Sequence, residues 1–216
     1  MKRKCLKDYR LQFITHCTES YDYYESAKIA LEGGIRWIQL RMKEAGEDEI
    51  KKEAMRIKNV CQMYEALFII DDYVELAIEL EADGVHLGQN DMPIKEARRL
   101  AGTKLIIGGT ANTFSQLKVL SDEGVDYIGL GPLRFTQTKH TLAPILGLKG
   151  IKEIIDECKY HHVDLPIYVI GGVQKEDVIT ILQTGATGIA LSSAILQTKH
   201  PLNETKEFMQ LTNKRK

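Results

Sequence analysis

Net charge, paired cysteines, proline and long apolar runs are all scarce in this sequence, and each scarcity excludes something. Lys and Arg number 29 against 30 Asp and Glu, leaving a formal net charge of -1. Such a balance gives no general attraction to nucleic acid or an anionic membrane, so any basic site must be local. No segment approaches the roughly 18 uninterrupted apolar residues of a membrane span. The charged start Met1-Lys2-Arg3-Lys4 is followed by no apolar run, so a cytoplasmic protein is expected, with no membrane or nucleic-acid partner. Cys5, Cys17, Cys61 and Cys158 lie far apart without a CxxC pair, which argues against a zinc site and a disulfide framework. They are expected to be reduced and structural. His16 and Cys17 are adjacent, but neighbours on a strand point to opposite faces and form no dyad there.

With 5 prolines and no Pro-rich stretch, no linker divides the 216 residues. A single domain over 1–216 is expected, ending in a short charged tail after about residue 212. What the chain does have is 44% apolar and 27% charged residues, enough for a sizeable core. Strand-like and helix-like runs alternate throughout. Strands are read at Leu11 to Thr15, Trp37 to Arg41, Phe68 to Ile70, Gly84 to Leu87, Lys104 to Gly109, Tyr127 to Gly131, Leu165 to Ile170 and Gly188 to Leu191. Helical spacing lies between them, at Tyr21 to Glu32, Glu47 to Tyr64, Val74 to Leu80, Pro93 to Leu100, Thr113 to Asp122, Ile151 to Cys158 and Lys175 to Thr184. Gly84, Gly124 and Gly185 stand just before strands, where helix-to-strand turns need positive φ. Eight βα units of about 27 residues each predict a single α/β domain with the (β/α)8 TIM-barrel fold, near the small end of its range. A doubly wound open sheet is the alternative and would place ligands at the same strand ends.

Chemistry-bearing residues gather at those ends. The second strand contributes Gln39, Arg41 and Lys43; the third, Asp71 and Asp72; the fourth, Gln89 and Asp91; the fifth, Thr110 and Asn112. The long connection from Gly131 to Gly150 carries Thr136, Thr138 and Lys139, and long connections in compact domains are usually functional. Gly171-Gly172 and Ser192-Ser193 follow the last two strands, where barrels of this kind often bind phosphate. Asp72 and Asp91 suit a hard cation such as Mg²⁺, held by one or two carboxylates together with substrate phosphates. They could equally cap the helices that follow. Arg41 and Lys43 beside them make sense for a polyphosphate ligand. His86, between Val85 and Leu87, reads as a hydrogen-bonded core histidine.

QLRMK (39 to 43), IIDDYVELA (69 to 77), GVHLGQNDMP (84 to 93), GPLRFTQTKH (131 to 140), VIGGV (169 to 173) and GIALSSAI (188 to 195) together resemble the motifs of the thiamin phosphate synthase (thiamin phosphate pyrophosphorylase) family, in order and spacing along almost the whole chain. The resemblance implies a transferase of thiamin biosynthesis that joins a pyrimidine diphosphate to a thiazole phosphate and releases pyrophosphate. It implies Mg²⁺ held by Asp72 and Asp91. Arg41, Lys43, Thr110 and Lys139 would be catalytic. Gln39, Arg41, Lys43, Asp71, Thr110 and Lys139 would contact the pyrimidine diphosphate, and Thr136, Thr138, Gly172, Ser192 and Ser193 the thiazole phosphate, with Leu40, Met42 and Gln137 also substrate-binding. Partners would be small molecules, with a homo-oligomer left open. Three positions depart from the family pattern: Asp71 replaces the usual Asn, Thr110 the usual Ser, and Asn112 a frequent His. An ionised Asp71 would repel a diphosphate oxygen by about 4 kcal/mol at about 4 Å and an effective dielectric near 20. The sequence therefore predicts that Asp71 turns to the metal or is protonated. A thiazole tautomerase-like isomerase and a non-catalytic phosphometabolite-binding barrel are the competing readings.

Overall fold

Along each strand one set of side chains turns into a barrel and the other into a surrounding layer of helices, as a period of two requires. The computed structural model describes residues 5–135 and 144–214. Its strands are β1 (Leu11–Ile14), β2 (Trp37–Leu40), β3 (Leu67–Asp71), β4 (Gly84–Leu87), β5 (Ile106–Ala111), β6 (Tyr127–Leu130), β7 (Ile167–Val169) and β8 (Gly188–Leu191). They pair in parallel in chain order, and β8 closes on β1 with Leu11 opposite Ile189 and Phe13 opposite Leu191. This is the expected (β/α)8 barrel, and its closure excludes the open sheet.

The outward set, including Phe13, Ile38, Phe68, Ile70, Val85, Ile107, Ile128 and Ile189, joins the helices in one continuous core. Those helices are α1 (Tyr23–Glu32), α2 (Glu47–Met63), α3 (Val74–Glu79), α4 (Ile94–Ala101), α5 (Phe114–Glu123), α6 (Gly147–Tyr160), α7 (Val178–Gln183), α8 (Ser193–Leu196) and α9 (Pro201–Asn213). The inward set fills the barrel in layers. At the N-terminal end Trp37 meets Tyr127 and Tyr168 edge-on, with ring centroids 4.9 and 4.8 Å apart. Each such pair contributes about 0.5–1.5 kcal/mol beyond its buried area. Leu6, on a short 3₁₀ turn, plugs this end and accepts a hydrogen bond from the Tyr168 hydroxyl at 2.6 Å. The next layer is polar and leads to the C-terminal mouth.

The bottom rim is held by a repeated clasp. Asp83 accepts from the Phe68 N–H at 2.8 Å while its own N–H donates to the Phe68 carbonyl. Asp126 does the same with Ile107, and Thr187 with Ile167. Each clasp sits one residue before an even-numbered strand and grips the preceding odd one.

Several boundaries move for identifiable reasons. The first helix begins at Tyr23, because Asp22 accepts from the Glu25 N–H as its N-cap, and Thr113 likewise caps α5. Pro93 caps α4 and does not open its first turn. The expected helix from Lys175 is a 3₁₀ turn (Lys175–Asp177) followed by α7. Gly124 and Gly185 do adopt positive φ, whereas Gly84 does not; a Cβ there would lie 2.2 Å from the Ile106 carbonyl, so close approach explains it. His16 and Cys17 follow the end of β1, so strand alternation does not govern them, and the Cys17 thiol donates to the Thr18 carbonyl at 3.8 Å. Burial pushes the Cys61 and Cys158 thiols up to about 12 and about 11, which leaves them inert as nucleophiles. Among the described residues no helix is long and apolar enough to cross a membrane. Helices α8 and α9 were not anticipated.

Candidate active site

The register sets the mouth. Gln39, near the end of β2, faces inward beside Asp71, the last residue of β3, and Asp71 pairs in register with His86 of β4. Gln39 Nε2 donates to Asp71 Oδ1 at 2.7 Å. Arg41 Nε and Lys43 Nζ each lie 3.5 Å from Asp71 Oδ2. The carboxylate, only 7% exposed, is thus compensated by an amide and two cations.

Asp72 follows immediately in the left-handed region, φ 68, and this turn throws its side chain away from that of Asp71. Its Oδ2 accepts a hydrogen bond from Lys43 Nζ, and its carboxylate lies within hydrogen-bonding reach of that of Asp91. Burial first, then Asp71 and the opposed Asp91, push the Asp72 carboxyl up to about 7. Burial alone would raise Asp91 too, but contact with Asp72 and a 2.6 Å hydrogen bond from the Gly88 N–H move it below the ordinary value. Burial works against the Lys43 ammonium, yet Asp71, Asp72 and Asp91 outweigh it and raise its pKa. Neither acid is a helix cap: Tyr73 and Pro93 occupy the N-cap positions of α3 and α4 without side-chain hydrogen bonds.

Among the described residues, Lys43 is the cation that acts on both of these opposed carboxylates. Asp72 Oδ1 is buried and accepts no hydrogen bond among the described residues. Within those residues no group of three or more His, Cys, Asp and Glu side chains gathers as a metal cage. Two carboxylates, one with an orphaned oxygen, are nevertheless a donor set that suits Mg²⁺, which completes its shell with water and substrate phosphate.

Thr110, near the end of β5, binds His86 Nε2 through Oγ1 at 2.9 Å, so His86 is hydrogen-bonded as expected. Gln89 and Asn112 are turned to structure: their side-chain amides donate to the Thr110 and Gly131 carbonyls. Leu40 packs in the helix–barrel core because strand alternation sends it opposite to Gln39, and Met42, just beyond the strand, packs there too; only their backbone is left for the site. Gly171 and Gly172 have φ 83 and 69, and Cβ atoms there would lie 2.6 Å from Pro132 and 2.9 Å from Arg134. Ser192 precedes α8 and makes no side-chain cap hydrogen bond; Ser193 opens the helix. Thr136, Gln137, Thr138 and Lys139 lie outside the described residues.

Two features escaped the sequence. Arg134 donates through both terminal nitrogens to Asp177, one bond at 2.7 Å, and reaches the Gly172 carbonyl at 3.2 Å, tying the segment after β6 to the turn after β7. An arginine inside the Gly-Pro motif was the available signal. Gln12, the polar residue of the LQFI strand, lies 2% exposed inside the barrel and donates to Gln39 Oε1 at 3.0 Å.

Comparisons with known proteins agree on one family. The family model for thiamine monophosphate synthase matches residues 11–195. A Phocaeicola vulgatus protein named thiamine-phosphate synthase is 55% identical over 95% of this chain and 99% of its own. A protein of that name from Bacteroides fragilis is 53% identical over 93% of this chain and 98% of its own. Among solved structures, thiamine phosphate pyrophosphorylase from Pyrococcus furiosus superposes with a TM-score of 0.85 at 32% identity, covering 95% of this chain and 96% of that one.

Proposed function

The chain belongs to the thiamine monophosphate synthase family and is a transferase of thiamine biosynthesis, and we propose that it couples 4-amino-5-hydroxymethyl-2-methylpyrimidine diphosphate to a thiazole phosphate, releasing pyrophosphate. The observation that carries the site assignment is the opposed pair Asp72 and Asp91, with an orphaned carboxylate oxygen and Lys43 between them, at the mouth of the barrel. A metal-independent isomerase has no use for that pair, and the sensor reading does not explain it.

The bond that breaks joins the pyrimidine methylene carbon to the diphosphate oxygen, and its electron pair leaves with the pyrophosphate. The thiazole nitrogen then supplies the pair that forms the new C–N bond. Mg²⁺, held by Asp72 and Asp91, would neutralise part of the negative charge that develops on the leaving group. Lys43 is positioned to release Asp72 and turn to a phosphate oxygen, and Arg41 adds a second cation at the same rim. Asp71 holds both cations at the rim by its buried charge, and Gln39 keeps that carboxylate turned inward. Thr110 offers a hydroxyl from the opposite wall. Lys139, Thr136, Gln137 and Thr138 belong to this reading through the family motif, as do Gly172, Ser192 and Ser193 at the thiazole phosphate. Mixing the protein with both substrates and Mg²⁺ tests it. Pyrophosphate should appear with thiamine phosphate and stop when a chelator removes the metal; binding of both substrates without turnover would defeat the reading.

A further inference from the structure

Five hydrogen bonds run across the barrel interior from Asp71 to Thr110. Gln39 Nε2 donates to Asp71 Oδ1 at 2.7 Å, and Gln12 Nε2 donates to Gln39 Oε1 at 3.0 Å. The Gln12 amide also reaches the Tyr127 hydroxyl at 3.4 Å; that hydroxyl lies 3.0 Å from His86 Nδ1, and His86 Nε2 lies 2.9 Å from Thr110 Oγ1. All six side chains are buried. Neighbouring strands make room for them: a Cβ at Gly108 would fall 2.1 Å from the Tyr127 ring, and one at Gly129 would fall 3.3 Å from His86.

An ionised carboxylate only accepts, whereas an amide both donates and accepts. Asp71 therefore demands the NH₂ of Gln39, which turns the Gln39 oxygen to Gln12 and demands a donor there. The Gln12 NH₂ has two hydrogens, one for Gln39 and one for Tyr127. Burial pushes the Tyr127 hydroxyl above its ordinary pKa, so it keeps its hydrogen and has it free for His86 Nδ1. A neutral imidazole that accepts at Nδ1 carries its hydrogen on Nε2 and donates it to Thr110. An asparagine at position 71 would permit either direction, since its amide offers both atoms.

The geometry points to Asp71 as the residue that fixes the direction of this relay, so that Thr110 accepts from His86 and turns its own hydroxyl hydrogen to an acceptor atom of the pyrimidine diphosphate. Gln12 and Tyr127 are its positioning residues. The ligand contact rests on the substrate reading above; the direction of the relay does not. Nitrogen-15 NMR of the ligand-free protein at pH 7 reads the direction, with the His86 signals assigned by their loss in His86→Gln. Hydrogen on Nε2 and a bare Nδ1 are expected, and hydrogen on Nδ1 or an imidazolium would overturn the relay. Tyr127→Phe keeps the ring and removes the link, so it should mix the two tautomers and raise KM for the pyrimidine diphosphate about tenfold with kcat within about threefold. Asp71→Asn should mix the tautomers as well. An unmixed tautomer and unchanged KM in Tyr127→Phe would overturn the positioning role. If the unmodified protein shows the expected tautomer but does not bind the pyrimidine diphosphate, the Thr110 contact falls with the substrate reading. The first measurement needs no variant to fold in native form beyond the one used for assignment.

Discussion

The two ends of the barrel both carry aspartates, and they use them in opposite ways. At the bottom, Asp83 and Asp126 each accept a strand N–H and return their own N–H to the same residue, and Asp126 also pairs with Arg98 at 2.7 Å. Their charge is spent on backbone. At the mouth, Asp72 and Asp91 face each other, share Lys43 as counter-charge and leave a buried oxygen without a donor among the described residues. A buried acceptor left unmatched costs about 1–3 kcal/mol, so the mouth aspartates are held at a cost that the bottom aspartates are not. Completion of the Asp72 and Asp91 pair is expected from a ligand, whereas Asp83 and Asp126 are already matched, although among the described residues Trp37 Nε1 in the bottom layer also has no hydrogen-bond partner.

The largest effects should separate these ends cleanly. Asp91→Ala and Asp72→Ala should each lower turnover by about 10³-fold or more, with thermal stability unchanged or raised in Asp72→Ala, where an opposed carboxylate is removed, and slightly lowered in Asp91→Ala, which also strands the Gly88 N–H. Pyrophosphate release and a melting curve measure both, and normal turnover would defeat the assignment of the pair to a bound cation. Asp126→Ala should do the reverse. It strands the Ile107 N–H and frees Arg98, at a cost of about 1–3 kcal/mol in chemical denaturation, and leaves turnover per folded molecule intact. Loss of turnover in a folded Asp126→Ala protein would erase the distinction between the ends.

The sequence carried the architecture because the strand and helix periods repeat eight times and any one ambiguous run is corrected by its neighbours. It carried the placement of Gln39, Asp71, Asp72, Asp91 and Thr110 near one rim for the same reason, since a parallel barrel brings all strand ends together. What it missed depends on partners far along the chain. Helix α9 was invisible because Thr205 and Thr212 occupy core positions, satisfied by carbonyls four residues back, so the apolar stripe is broken. The partners of Asp71 were not legible because they come from Gln39, Arg41 and Lys43 on the preceding strand and its loop, which only strand pairing brings alongside. Arg134 and Asp177 lie on different βα units, and no local pattern links them.

That last pair sharpens the comparison, since Asp177 lies on the mouth side yet resembles the bottom. Its oxygens take both terminal nitrogens of Arg134 and the Gln174 N–H at 2.9 Å. The Arg134 guanidinium first, and the Gln174 N–H with it, hold the Asp177 carboxyl below its ordinary value of 3.8 despite burial. A depressed folded pKa contributes stability that is present above the ordinary value and lost as pH falls through the folded one. Arg134 is half exposed, so solvent screening limits the pair, and Asp177→Asn should cost only about 1 kcal/mol at pH 7. The deficit should hold steady down to pH 5 and shrink below 3.8, as the unfolded chain takes up a proton at this carboxyl before the native protein does. Urea denaturation of both proteins at pH 7, 5 and 3 measures it. A deficit that widened on acidification would mean that Asp177 titrates like Asp72, as part of the unfinished site, and position at the mouth would then outweigh local satisfaction in deciding which carboxylates await a ligand.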